Sequence, residues 1–295
     1  MLMHPIRLFL LLFLAGSVVA CADKKDNASP VATPSLTLSR TEVAVGSPME
    51  MTYRFAMAAD AAPLKDDYTV FVHILDADGE QLWGDDHLPP TPTRQWKPGS
   101  TIEYMRTMFV PKFPYVGDAR IELGLYSPKT GERVPLAGES TGDRAIRVAS
   151  FALRLAADTY YVVFKSGWYD AESSEGMVGT SWQWSKKEGA LSFRNPKRDT
   201  LLMIQLDQPA MAFQEPQRVE LRIGQAVVDA FPLPAGRPEL RRISLTPQQM
   251  GNGDTVDVTV AVDKTFVPAS IPQLKSSDSR ELGLRVFHVF VEPKQ

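Results

Sequence analysis

The spacing of apolar residues changes twice along the chain. Leu8 to Leu14 is an unbroken apolar run inside the stretch 6–20, and Arg7 stands at its positive flank. Ala22 to Ser35 is small, polar and Pro-containing, with nothing to bury. From Leu36 onward the dominant period is two, the period of a strand with one wet face. Met49-Glu50-Met51-Thr52-Tyr53-Arg54-Phe55 alternates throughout, and Asp254 to Val262 places Val256, Val258, Val260 and Val262 on one face. Tyr68 to Leu75 departs from alternation. It is almost continuously apolar, as expected of a central strand covered on both faces.

Further strands are predicted at Gln81 to Gly84, Ile102 to Val110, Ala119 to Tyr126 and Ala145 to Leu155. Asp76-Ala77-Asp78-Gly79 and Ser127-Pro128-Lys129-Thr130-Gly131 supply turn residues between them. After a boundary near Ala156-Ala157-Asp158 come Ala190 to Arg194, Leu201 to Leu206, Arg218 to Ile223, Val227 to Phe231, Leu240 to Leu245 and a last strand, Glu281 to Val291. Many short strands with Pro, Gly and Asp turns, and no convincing amphipathic helix, indicate an all-β protein of two sandwiches. The expected division is 1–20 signal peptide, 21–35 tether, 36–156 immunoglobulin-like sandwich and 157–295 jelly-roll-like sandwich. Length agrees, because 295 residues less a signal peptide suit two domains of about 100–150 residues.

Charge and cysteine narrow the picture. The formal net charge is −3 with mixed signs and no basic block, which argues against nucleic-acid binding. The apolar run is too short to span a bilayer comfortably and suits a signal peptide. It ends at Val18-Val19-Ala20-Cys21, which holds the only cysteine. Small residues before a thiol resemble the bacterial lipobox. That resemblance implies cleavage before Cys21 and a diacylglyceryl group on its sulfur, which leaves no thiol for a disulfide. The alternative is an ordinary secretory signal with a free thiol. Ala22, not Asp, follows the cysteine. By likeness to lipoprotein sorting in diderm bacteria this implies the outer membrane, with the lipid as the membrane partner.

Candidate chemistry is sparse. Asp85-Asp86-His87 with His73 gathers two carboxylates and two imidazoles, donor types that suit zinc. Turn hydrogen bonds for the aspartates and a core position for His73 are the commoner fates. Asp76 to Glu80 lacks the spaced ligands of a calcium loop. Trp168, Tyr169, Trp182 and Trp184 form an aromatic cluster. Trp182 and Trp184 are two apart and share a strand face. Facing outward they make a platform for pyranose rings; facing inward they are core. Asp278 and Arg280 can bind a polyhydroxyl or acidic ligand, or pair with each other and pin a loop. No Gly-x-Ser-x-Gly elbow, His-Glu-x-x-His, phosphate loop or dinucleotide fingerprint occurs, so neither catalysis nor a cofactor is expected.

Phe71-Val72-His73-Ile74-Leu75-Asp76-Ala77-Asp78-Gly79, Asp85-Asp86-His87, Trp96-Lys97-Pro98-Gly99, Leu123-Gly124-Leu125-Tyr126 and Gly131-Glu132-Arg133 resemble extracytoplasmic β-sandwich modules found beside or fused to bacterial membrane glycosyltransferases. Gly167-Trp168-Tyr169, Trp182-Gln183-Trp184, Phe266-Val267-Pro268 and Asp278 to Gly283 resemble a second such module. The resemblance implies a setting in glycan assembly and transfers no catalytic residue. The leading expectation is a non-catalytic envelope lipoprotein that binds a surface glycan or a glycan-handling partner. A structural lipoprotein scaffolding envelope proteins is the alternative. A metal-dependent or glycosidic enzyme is a third, and requires the histidines or two carboxylates to converge.

Overall fold

The computed structural model describes residues 28–111, 115–155, 160–173, 181–209, 212–236 and 238–294. The signal peptide 1–20, Cys21 and the boundary at Ala156-Ala157-Asp158 lie outside the described residues. The chain is all-β, and two separate apolar cores organise it. Among the described residues no helix is long and apolar enough to cross a membrane.

The first core spans Ala32 to Leu153. Around it lie β1 (Ala32–Leu38), β2 (Glu42–Ala44), β3 (Pro48–Met57), β4 (Thr69–Leu75), β5 (Gln81–Gly84), β6 (Thr101–Phe109), β7 (Gly117–Tyr126), β8 (Glu139–Gly142) and β9 (Ala145–Arg154). One sheet runs β1-β3-β6 and the other β2-β9-β7-β4-β5, with β8 paired to β9. β2 pairs with β9 in parallel, so the chain crosses from one sheet to the other between β1 and β2. This is the immunoglobulin arrangement, with an extra strand beyond the central hairpin sheet.

The alternation in β3 lands as its period demands: Met49, Met51, Tyr53 and Phe55 are all fully buried. In β4, Val70, Val72 and Ile74 face the core. Phe71 points the other way, yet it too is buried. It lies on Gly124, where an added Cβ would come within 2.3 Å of the ring, and the Arg133 guanidinium covers it at 4.3 Å. That lid explains the continuous apolar run in β4.

β1 begins at Ala32, inside the stretch expected to be tether up to Ser35. Ala32, Pro34 and Leu36 alternate inward and pair with Met57, Phe55 and Tyr53. Small side chains and a proline are compatible with an edge strand, so composition concealed it.

The second core spans Leu191 to Val291. Its strands are β10 (Val163–Phe164), β11 (Glu172–Ser173), β12 (Ser181–Trp184), β13 (Glu188–Arg194), β14 (Thr200–Asp207), β15 (Gln217–Ile223), β16 (Ala226–Leu233), β17 (Glu239–Leu245), β18 (Thr255–Val262) and β19 (Arg285–Pro293). The sheets run β10-β13-β18-β15-β16 and β11-β12-β19-β14-β17. Counted from β12, one sheet holds the second, seventh, fourth and fifth strands and the other the first, eighth, third and sixth. That order is a jelly roll, with β10 and β11 added at the edges. The four valines of β18 all face its core. The last strand starts at Arg285, later than the sequence pattern suggests. Phe266 and Leu282 instead form an isolated bridge in the crossover before it.

The two sandwiches touch through outer sheet faces. Arg242 on β17 donates to Glu50 Oε1 (2.8 Å) and Thr107 Oγ1 (2.7 Å), and Arg40 pairs with Glu292 at 3.0 Å. Phe109 on β6 stacks on His288 of β19, with ring centroids 4.5 Å apart and planes 9° from parallel. Outer faces of both sandwiches are therefore partly used by each other.

Candidate functional site

The four residues proposed as metal donors are placed on opposite sides of one sheet. His73 follows Phe71 on the outer face of β4, and the two rings lie 5.0 Å apart. It is half-buried, and desolvation lowers its pKa. His87 pairs with the inward residue Val70, so its ring turns toward the facing sheet. A side chain on each face of a sheet cannot meet at one ion.

The other contacts of these residues are already satisfied. Asp86 Oδ1 accepts from the Val72 amide at 3.1 Å. Asp85 accepts from Arg106 Nη2 at 3.1 Å. Burial pushes the Asp85 carboxyl up, and the Arg106 charge pulls it back. Among the described residues no group of three His, Cys, Asp or Glu is arranged to hold a metal. Asp76 Oδ1 accepts from the amides of Asp78 (3.0 Å) and Glu80 (2.8 Å), which makes that segment a hairpin turn.

His87 belongs to a buried polar plug. Its Nδ1 is 2.8 Å from the Asp85 carbonyl, which can only accept, so Nδ1 carries the proton. Nε2 then accepts from the Tyr104 hydroxyl at 2.8 Å. Tyr53 stacks on Tyr104 at 5.2 Å and meets His87 edge-on at 4.9 Å. Burial, helped by the Arg106 charge, pushes the imidazole down to about 4. Burial also raises both tyrosine hydroxyls. All these groups are held in their neutral forms, with Asp85 and Arg106 as the charged pair.

The aromatic cluster of the second domain divides in two. Trp168 is partly buried and packs against the second core. Its ring lies on Gly189, where an added Cβ would fall 2.5 Å from it, and Phe164 meets it edge-on at 4.9 Å. Its Nε1 donates to the Ala190 carbonyl at 2.9 Å. Gly167 makes this possible. It has φ +82, and an added Cβ would lie 1.9 Å from the Glu188 carbonyl oxygen. Gly167→Ala is expected to destabilise the protein by about 3 kcal/mol or more, because strain and backbone collision add. A urea melt within about 0.5 kcal/mol of wild type would show that the turn relaxes.

Tyr169, Trp182, Trp184, Asp278 and Arg280 do come together, on the outer face of the β11-β12-β19-β14-β17 sheet. Gln183 pairs with the core residue Val286, so Trp182 and Trp184 face outward. Outward is not open, however. The crossover 263–284 folds back as a roof, and Trp184 packs with Phe266 and Leu282 in a third small apolar cluster. Trp184 is buried. Gln217 holds the roof by donating to the carbonyls of Lys264 (2.7 Å) and Gly283 (3.2 Å). Trp182 is partly buried and packs against this cluster.

A ladder of charges and rings runs along this face. Arg280 makes a two-pronged pair with Asp278, reaches Glu172 Oε1 at 2.7 Å and lies 5.0 Å over the Tyr169 ring. The hydrogen bonds from Arg280 hold the Asp278 carboxyl below its ordinary range. Glu172 Oε2 accepts from Trp182 Nε1 at 3.2 Å. Arg285 follows, 5.5 Å over Trp182 and 5.4 Å over Trp184, with Nε and Nη2 on Asp207 at 2.7 and 2.6 Å. Sequence reasoning missed Glu172, Asp207 and Arg285. The available signal was an arginine placed directly before the apolar Val286-Phe287 that opens the last strand.

No protein-family model and no curated protein matches the chain. Solved structures similar to it include the tandem CBM22 domains of Paenibacillus barcinonensis Xyn10C, at 11% identity and TM-score 0.26, over 88% of this chain and 86% of that one. An exo-β-1,3-galactanase from Phanerochaete chrysosporium matches at 9% identity and TM-score 0.28, over 90% and 70%. A collagen adhesin from S. aureus matches at 8% and 0.20, over 90% and 97%. These likenesses assign no site on this chain.

Proposed function

We propose that the protein is a non-catalytic cell-envelope lipoprotein, anchored by lipid on Cys21 in the outer membrane, whose jelly roll binds a surface glycan. The observation that supports this reading is the partly buried Trp182 bonded to Glu172, whose other oxygen holds Arg280. An aromatic face meets the C–H side of a pyranose while adjacent carboxylate and guanidinium groups fix its hydroxyls. Within the original cluster, Trp168 and Trp184 serve packing, and Tyr169 positions Arg280.

Trp182→Ala is expected to lose polysaccharide pull-down while remaining folded, with a lowered melting temperature because the ring packs on Arg285 and the roof. Unchanged retention in the folded variant would remove Trp182 from the site. The anchor is checked separately, as labelled palmitate incorporation that disappears in Cys21→Ser.

A protein-scaffolding role is the second reading. Tyr161 and Val163 are 68% and 55% exposed at β10, the edge strand of its sheet among the described residues. Crosslinking to an envelope protein that is lost in Tyr161→Asp and kept in Trp182→Ala would favour it over glycan binding.

A further inference from the structure

The face around Trp182 carries more information than an exposed aromatic ring, because its charges are unequally committed. Arg280 spends Nε and Nη2 on Asp278 and Glu172, and its plane lies against Tyr169. The guanidinium is thus held by two carboxylates before any ligand arrives. Glu172 accepts one hydrogen bond on each oxygen, from Arg280 and from Trp182 Nε1. A carboxylate has about four acceptor positions, so Glu172 retains capacity for further donors.

The nearby formal charges point the same way. Glu172, Asp278 and Asp207 balance Arg280, Arg285 and Lys186, and each of these cations already faces a carboxylate or an aromatic ring. Lys186 is itself drawn over the Tyr169 ring at 5.5 Å, away from the Trp182 side of the ladder. Such a face offers acceptors to hydroxyl groups, while its cations are already engaged and give little to an incoming carboxylate or phosphate.

We infer that the ligand of this face is a neutral saccharide, held by its hydroxyl donors and its C–H surface, and that uronate-bearing and phosphorylated glycans are excluded. The inference rests on the glycan-binding reading above and names the class of ligand for the same site. Glu172 is then the specificity-determining residue. It receives a hydroxyl and also keeps Arg280 occupied, so that the guanidinium is not offered to anions.

The test titrates the full chain in detergent against dextran, galactan and a β-glucan as neutral probes, and against polygalacturonate and alginate as acidic ones. At least one neutral probe is expected to bind about tenfold or more tightly than either polyuronate at low salt. Trp182→Ala should weaken the neutral probe by about tenfold. Glu172→Gln keeps the shape but removes one of the two carboxylates on Arg280, leaving Asp278 as its sole counter-ion, and should narrow or close the preference. A merely structural Glu172 would instead weaken all probes together. Polyuronate bound as tightly as the neutral probes, with loss in Trp182→Ala, would overturn the ligand class and leave the glycan site standing. Binding to none of the probes, or neutral binding untouched by Trp182→Ala, would remove the site reading and this inference with it.

Discussion

Replacing Asp207 by alanine is expected to cost about 3 kcal/mol of folding stability. The Asp207 side chain is 5% exposed and makes two short charge-assisted bonds to Arg285. Removing it leaves a guanidinium beneath Trp182, Trp184 and Phe287 with no counter-ion, and stranding one partner of a buried pair is far costlier than deleting both. Arg285→Leu added to Asp207→Ala should therefore recover about half the loss. Urea melts of wild type, both single variants and the double variant measure this directly. A single-variant cost below about 1 kcal/mol, or a double variant no better than the single, would show that solvent already screens the pair.

Stability is also expected to fall as the pH drops from 6.5 to about 4, through His87. Unfolded, the imidazole takes a proton near its ordinary value of 6.5; folded, it resists until about 4. Across that window the unfolded chain binds more protons, so stability rises with pH, is complete above 6.5 and is lost on acidification. The full effect is on the order of 2–3 kcal/mol. His73, lowered by burial, acts in the same direction. Asp85, raised by burial, acts oppositely at the acid end, because its folded form gains a proton earlier. His87→Gln retains a group that can accept from Tyr104 and donate to the Asp85 carbonyl, yet does not titrate. Its melting temperature should vary much less than wild type between pH 7.5 and 5. Parallel pH profiles for the two proteins would assign the acid sensitivity elsewhere.

The fold was legible where one face of a strand is wet. Met49 to Phe55 and Val256 to Val262 alternate, and both face cores as their period requires. Legibility failed where chain covers chain. β1 was hidden because Ala32 and Pro34 bury little, and the start of β19 was misplaced because Leu282 and Leu284 are apolar for the roof and the core, not for a strand. The site was legible as composition and not as geometry. Two tryptophans spaced by two residues do share an outward face, but no local pattern reveals that residues 263–284 return to cover one of them. Likewise, two histidines fourteen positions apart give no hint that the sheet lies between them.

The parallel pairing of β2 with β9 has a mechanical consequence. β2 enters the first sandwich from the N-terminal side, and β9 leaves it toward the jelly roll. A pull applied between the N-terminal segment and the second domain, once β1 has parted from β3, runs along these strands in opposite senses. The bonds Ala152 N–H to the Thr41 carbonyl and Val45 N–H to the Arg154 carbonyl then bear shear together and do not unzip one after another. Such a load is met by a patch of backbone stressed all at once, the geometry in which a short ladder yields last.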